Sequence, residues 1–128
     1  MNRIFICLVC TIFFTSCFKD EIVEFEKDYI EVNYQAQKVI LKANNDIYGV
    51  AFVLSESDSE TSNSDINNGV WTCTGDWFSI VLNGSASRRV EVNIQENTSG
   101  KDRKVTIVAH RDVGGDTAII TQKAKPTE

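Results

Sequence analysis

Apolar residues recur at every second position through most of the chain, and this one feature restricts the fold more than any other. Ile30, Val32 and Tyr34 alternate with Glu31 and Asn33, and Val39, Leu41 and Ala43 alternate with Lys38 and Lys42. Val50, Phe52 and Leu54 repeat the pattern, as do Val90, Val92 and Ile94 against Glu91 and Asn93. Val105, Ile107 and Ala109 alternate with Lys104, Thr106 and His110, and Ala118 and Ile120 with Thr117 and Thr121. Successive side chains of a strand face opposite sides, so each segment offers one apolar face to a core. Asn44-Asn45-Asp46, Asn83-Gly84-Ser85, Asn97-Thr98-Ser99-Gly100 and Val113-Gly114-Gly115-Asp116 punctuate these runs with turn formers. Short strands at such regular spacing predict an all-β sandwich or barrel. The strands are expected near 23–26, 29–34, 37–43, 48–55, 69–74, 77–82, 88–95, 103–111 and 116–123, the first two forming either separate strands or one bent edge strand. Residues 56–68 (ESDSETSNSDINN) are nearly devoid of apolar groups and are expected to form a long polar loop.

The amino terminus is built differently. Arg3 precedes an uncharged run over residues 4–14, followed by Thr15, Ser16 and Cys17. Eleven residues rising ~1.5 Å each cover about half of a ~30 Å hydrocarbon core, too little to span it as a helix. The run has the proportions of a secretory signal core, and Phe14-Thr15-Ser16-Cys17 resembles a lipobox, although Phe14 replaces the usual Leu. That resemblance implies cleavage before Cys17 and acylation of its thiol; an ordinary secretory peptide is the alternative. The organisation expected is a signal peptide over 1–16, a lipidated tether over 17–22 and one domain over 23–125. Lys19-Asp20-Glu21 resembles the export signal of Bacteroidetes surface lipoproteins. It implies an outer-membrane lipoprotein displayed at the cell surface, against retention on the periplasmic side.

Charge and composition remove several classes of function. The formal net charge is −5, and Arg3 is the one cation before Cys17, so the remainder stands at −6. A nucleic-acid partner is not expected, since binding phosphates requires a basic face. Cys73 is the one cysteine after Cys17, so no disulfide framework is expected, and Cys73 is read as a small buried side chain on a strand. His110 is the sole histidine, which excludes a paired-histidine metal site and predicts an exposed strand position. Asp112 and Asp116 bracket the Gly114-Gly115 turn, and such acids are expected to be solvated or capping groups rather than a glycosidase pair. No catalytic residue, metal or cofactor is expected.

The second half carries a longer pattern: Gly75-Asp76-Trp77-Phe78-Ser79, Arg88-Arg89-Val90-Glu91-Val92, Asn97-Thr98-Ser99-Gly100 with Arg103, and Gly114-Gly115 leading to Ile119-Ile120-Thr121-Gln122. It resembles the BACON family (Bacteroidetes-associated carbohydrate-binding, often N-terminal) over residues 69–124, with a looser match before them. The resemblance implies an immunoglobulin-like β-sandwich, here of about 7–9 strands, that handles polysaccharide or glycoprotein outside the cell without catalysis. The segment 56–68 and Trp71 have no place in that pattern. Sugar recognition uses aromatic faces, so the ligand-binding candidates are Trp71, Tyr48 and Trp77. Trp77 occupies the family's Trp position and alternates with Ser79 and Val81, which makes core packing its competing role. Two functions follow: binding a glycan or glycoprotein such as mucin at the bacterial surface, or docking on another envelope protein as a structural module. Residues 56–68 as the reactive element of an enzyme inhibitor form a third.

Overall fold

The computed structural model describes residues 22–54, 61, 64–84, 87–112 and 114–127. The leader, Cys17 and Lys19-Asp20-Glu21 lie outside them, as do residues 56–60 and 62–63 of the polar segment. Among the described residues nine strands form two layers: β1 (Tyr29–Val32), β2 (Gln37–Ile47), β3 (Gly49–Val53), β4 (Ser64–Asn67), β5 (Val70–Thr74), β6 (Phe78–Asn83), β7 (Ser87–Ile94), β8 (Arg103–His110) and β9 (Gly115–Gln122). One sheet has the order β1-β9-β8-β3 and the other β2-β7-β6-β5-β4. The first strand runs parallel to the last, with Tyr29 opposite Ile119 and Val32 opposite Gln122, while every other strand pair is antiparallel. The fold is an all-β, immunoglobulin-like sandwich.

The period-two pattern explains the core. Val39 and Leu41 of β2, Ile80 and Leu82 of β6, Val90 and Val92 of β7, Val105 and Ile107 of β8 and Ala118 and Ile120 of β9 are all buried between the sheets. Cys73 is fully buried on β5, as expected of a small side chain on a strand. Phe78 centres the aromatic part of this core, meeting Phe52 edge-on at 4.8 Å and Trp77 at 4.9 Å. A side chain on Gly75 would put its Cβ 2.3 Å from the Phe78 ring, so the turn before β6 requires glycine for the close approach.

Four expectations are corrected. Asn44-Asn45-Asp46 is not a turn: β2 continues through it to Ile47, with a register shift between Lys42 and Ile47. Asn44 can stay in the strand because the segment before β1 satisfies it. Asn44 Oδ1 accepts from the Glu24 amide at 2.7 Å, and the Asn44 amide donates to Glu24 O at 3.0 Å. That segment is not a strand over 23–26 either; it contributes a single bridge, Phe25 to Ala43. The polar stretch 56–68 contains strand β4, which pairs Ile66 with Trp71. Alternation fails to reveal it because β4 lies at the sheet's edge and Ile66 is 61% exposed. Leu54, grouped by period with Val50 and Phe52, is exposed beyond the end of β3.

Candidate functional site

The strands run between two ends of the sandwich, and the candidate residues divide between them. At one end lie the start of β2, the ends of β1, β7 and β9, and the start of β8. The residues of the family-like pattern meet there. Arg103 places its guanidinium carbon 4.4 Å from the centroid of the Trp77 ring. Its Nε donates to Gln122 Oε1 at 2.9 Å, and its NH2 donates to the carbonyls of Gln95 and Glu96. Burial lowers the pKa of this guanidinium, which nonetheless stays protonated.

Gln122 is fully buried, and its Nε2 donates to Tyr34 O at 3.1 Å and Gln95 O at 3.0 Å. Asn97, equally buried, donates to Lys101 O and Lys123 O and accepts from both the amide and the hydroxyl of Ser99. The buried side chains of this knot engage backbone groups of the surrounding loops, as burial demands. Trp77 is partly buried against the core and covered by Arg103. The structure therefore places it in the knot, away from the other two ligand-binding candidates.

Trp71 and Tyr48 come together at the opposite end. Trp71 lies on the same face of β5 as buried Cys73, so its ring points between the layers. The ring reaches across to the other sheet, where its tip would stand 3.4 Å from a Cβ on Gly49. Tyr48 is the residue that carries the chain from β2 to β3, and its amide donates to His110 O at 2.9 Å. Its ring is 39% exposed and carries the Arg111 guanidinium 4.8 Å from its centroid. Asp46 holds that arginine in place by accepting from its NH1 at Asp46 O, 2.8 Å away, while the Asp46 carboxylate engages Arg88 at 3.2 Å.

Two depressions share Tyr48 and Trp71. One, of about 280 Å³, is completed by Gly49, Val50, His110, Arg111 and Asp112. The other, of about 190 Å³, is completed by Ile66, Gly69, Leu82 and Gly84. The Trp71 indole Nε1–H is buried without an acceptor among the described residues, a state that costs on the order of 1–3 kcal/mol for a polar group. Sequence reasoning singled out the two aromatics and missed Ile66 and Arg111, which become neighbours only through β4–β5 pairing and the bulged path of β2. Asp112 is exposed here, as expected of a turn acid, whereas Asp116 does structural work, its Oδ2 accepting from the Phe25 amide at 2.8 Å. His110 is exposed, as the alternation predicts. No group of three or more His, Cys, Asp or Glu able to hold a metal occurs among the described residues.

No protein-family model matches the chain, and no curated protein matches it. Solved structures do. A protein from Bacteroides thetaiotaomicron, determined by NMR, superposes with a TM-score of 0.58 at 12% identity, over 83% of this chain and 90% of that one. A Bacteroides ovatus GH5 xyloglucanase in complex with a XXXG heptasaccharide matches over 83% of this chain at 12% identity and a TM-score of 0.49, and the match spans 20% of the xyloglucanase. Titin domain M7 matches over 83% of this chain and 96% of its own, at 7% identity and a TM-score of 0.47. At such identities the likeness concerns the fold alone.

Proposed function

We propose that this protein is a lipid-anchored component of a bacterial cell envelope whose BACON-like sandwich binds a glycan or glycoprotein, without catalysis, through the Tyr48–Trp71 groove. In this reading Cys17 carries the lipid, and the protein is displayed on the outer membrane. One observation supports the binding role above others: two of the three aromatics singled out by residue type, Tyr48 and Trp71, line adjoining depressions at one end. The Arg111 donors at the rim add hydrogen-bonding capacity beside an apolar surface, the combination that small-ligand sites use.

Calorimetric titration of the protein with plant and mucin polysaccharides tests this role. Tyr48→Ala is expected to weaken binding about tenfold, corresponding to the roughly 1.4 kcal/mol of a good aromatic contact. Flat isotherms across both classes of polymer would remove the glycan reading.

One observation favours docking on an envelope protein instead: the short edge strand β4 presents Ile66, and edges accept an added strand. Co-purification of a defined membrane partner that is lost in Ile66→Lys, with no polysaccharide bound, would select that alternative.

A further inference from the structure

The described chain begins at the Tyr48 end of the sandwich, and this position has a bearing on what the groove faces. The Glu24 amide donates to Asn44 Oδ1, the Phe25 amide to Asp116 Oδ2, and the Glu26 amide to Lys42 O. All three acceptors lie toward the end where β8 gives way to β9 and β2 to β3. From there the chain runs through β1 toward the Trp77 knot, reaching Gln122 opposite Val32. Val23 is fully buried, so this start is packed into the body.

Five peptide steps separate Ile22 from Cys17, and at ~3.6 Å per residue they extend at most ~18 Å. The eight residues of β8 span about 27 Å. An anchor of that reach cannot bring the Trp77 end down onto a membrane, because the point of attachment would then stand farther from the surface than the tether allows.

We infer that the Tyr48 end of the sandwich lies against the lipid headgroup layer that holds the acyl chains of Cys17. The inference rests on the lipid-anchor reading above.

The composition of this end fits the headgroup layer. Ile22, Tyr48 and Ile66 are exposed apolar groups, and Arg88, Arg89 and Arg111 are set among them. Exposed aromatics and arginines suit the boundary between headgroups and water.

The two tryptophans report the orientation. Trp71 is opposite Leu82, five residues from Trp77, which separates them by about 17 Å along the strands. Lipoprotein extracted from cell membranes, its mass read for acylation of Cys17, is reconstituted into phosphatidylcholine–phosphatidylglycerol vesicles that contain a headgroup nitroxide quencher. The inference expects Trp71 (in Trp77→Phe) to be quenched severalfold more than Trp77 (in Trp71→Phe). Hydrogen exchange of the unsubstituted lipoprotein, vesicle-bound against detergent-solubilised, gives the same reading without a substitution: slowing at Tyr48, Asn68, Gly84 and Arg111, and none at Ser99. Equal quenching, or stronger quenching of Trp77, overturns the orientation while leaving the anchor and the glycan reading intact. An unmodified Cys17 overturns the anchor and this inference together.

Discussion

The two ends of the sandwich solve different problems with similar residues. Each has a tryptophan with an arginine nearby, but the Trp77 end uses them to close the structure and the Tyr48 end leaves them open. At the Trp77 end, Arg103 covers the indole, Gln122 and Asn97 are fully buried, and their donors reach loop carbonyls. At the Tyr48 end the arginine covers a tyrosine that remains 39% exposed, and the indole N–H of Trp71 has no acceptor among the described residues. A residue type that looks like a ligand contact is thus spent on the fold wherever its polar atoms are already engaged. Engagement of the polar atoms, rather than the presence of an aromatic, separates the two ends.

That contrast can be broken by substitution. The largest loss of stability is expected for Gln122→Ala, about 3 kcal/mol, because removing this fully buried side chain takes one hydrogen bond each from the Tyr34 carbonyl, the Gln95 carbonyl and the Arg103 Nε–H at once. Chemical denaturation measures it, and a loss under ~1 kcal/mol would show that the knot is not what closes that end. Gly75→Ala should follow at about 2 kcal/mol, since the new methyl group can be accommodated only by displacing the buried Phe78 ring. Tyr48→Ala, by contrast, should change stability by no more than ~0.5 kcal/mol, as is usual for exposed positions, while it weakens binding. A large loss of stability there would mean that the open end is also structural.

The smallest effect is expected at the exposed pair of Lys123 and Asp102, 2.7 Å apart beside the knot. The Lys123 ammonium, followed by the Ala124 amide, holds the Asp102 carboxyl below its ordinary pKa. The contribution is therefore present above the ordinary carboxylate value and is lost as the pH falls through the lowered one. Asp102 in turn raises the pKa of Lys123, so that side of the pair is lost only as the pH rises through the raised value. Asp102→Asn should leave the neutral-pH melting temperature nearly unchanged and flatten its acid limb slightly; both groups are exposed to water, which screens the pair. A large shift would place the pair inside the knot.

The core was legible because burial is periodic. Every residue from Val90 to Ile94 and from Val105 to Ala109 that alternation assigned inward is buried, and Gly84, Gly100 and Gly114 adopt the positive φ expected of their turns. What stayed hidden depends on partners distant in sequence. Asn44 is an ordinary turn former until Glu24 occupies its hydrogen bonds, and β4 is a polar stretch until β5 pairs with it. The groove was half legible. Residue type pointed to Tyr48 and Trp71, but Ile66 reaches them only through strand pairing, and Arg111 only because the bulge in β2 brings the Asp46 carbonyl to its guanidinium. The motif residues were read as a family signature, and local pattern could not say that Arg103 and Gln122 touch.

The parallel contact of β1 with β9 has a consequence for how the chain is made. The bond from the Phe25 amide to Asp116 joins positions 91 residues apart, and Tyr29 finds its ladder partner in Ile119. Closing so long a loop is slow and yields nothing until its distant end is present. During synthesis the early strands have no companion, so the sandwich cannot lock before its last strand leaves the ribosome. Such a chain remains threadable through a narrow conduit for nearly its whole production, and trimming even its final strand would strand the first one.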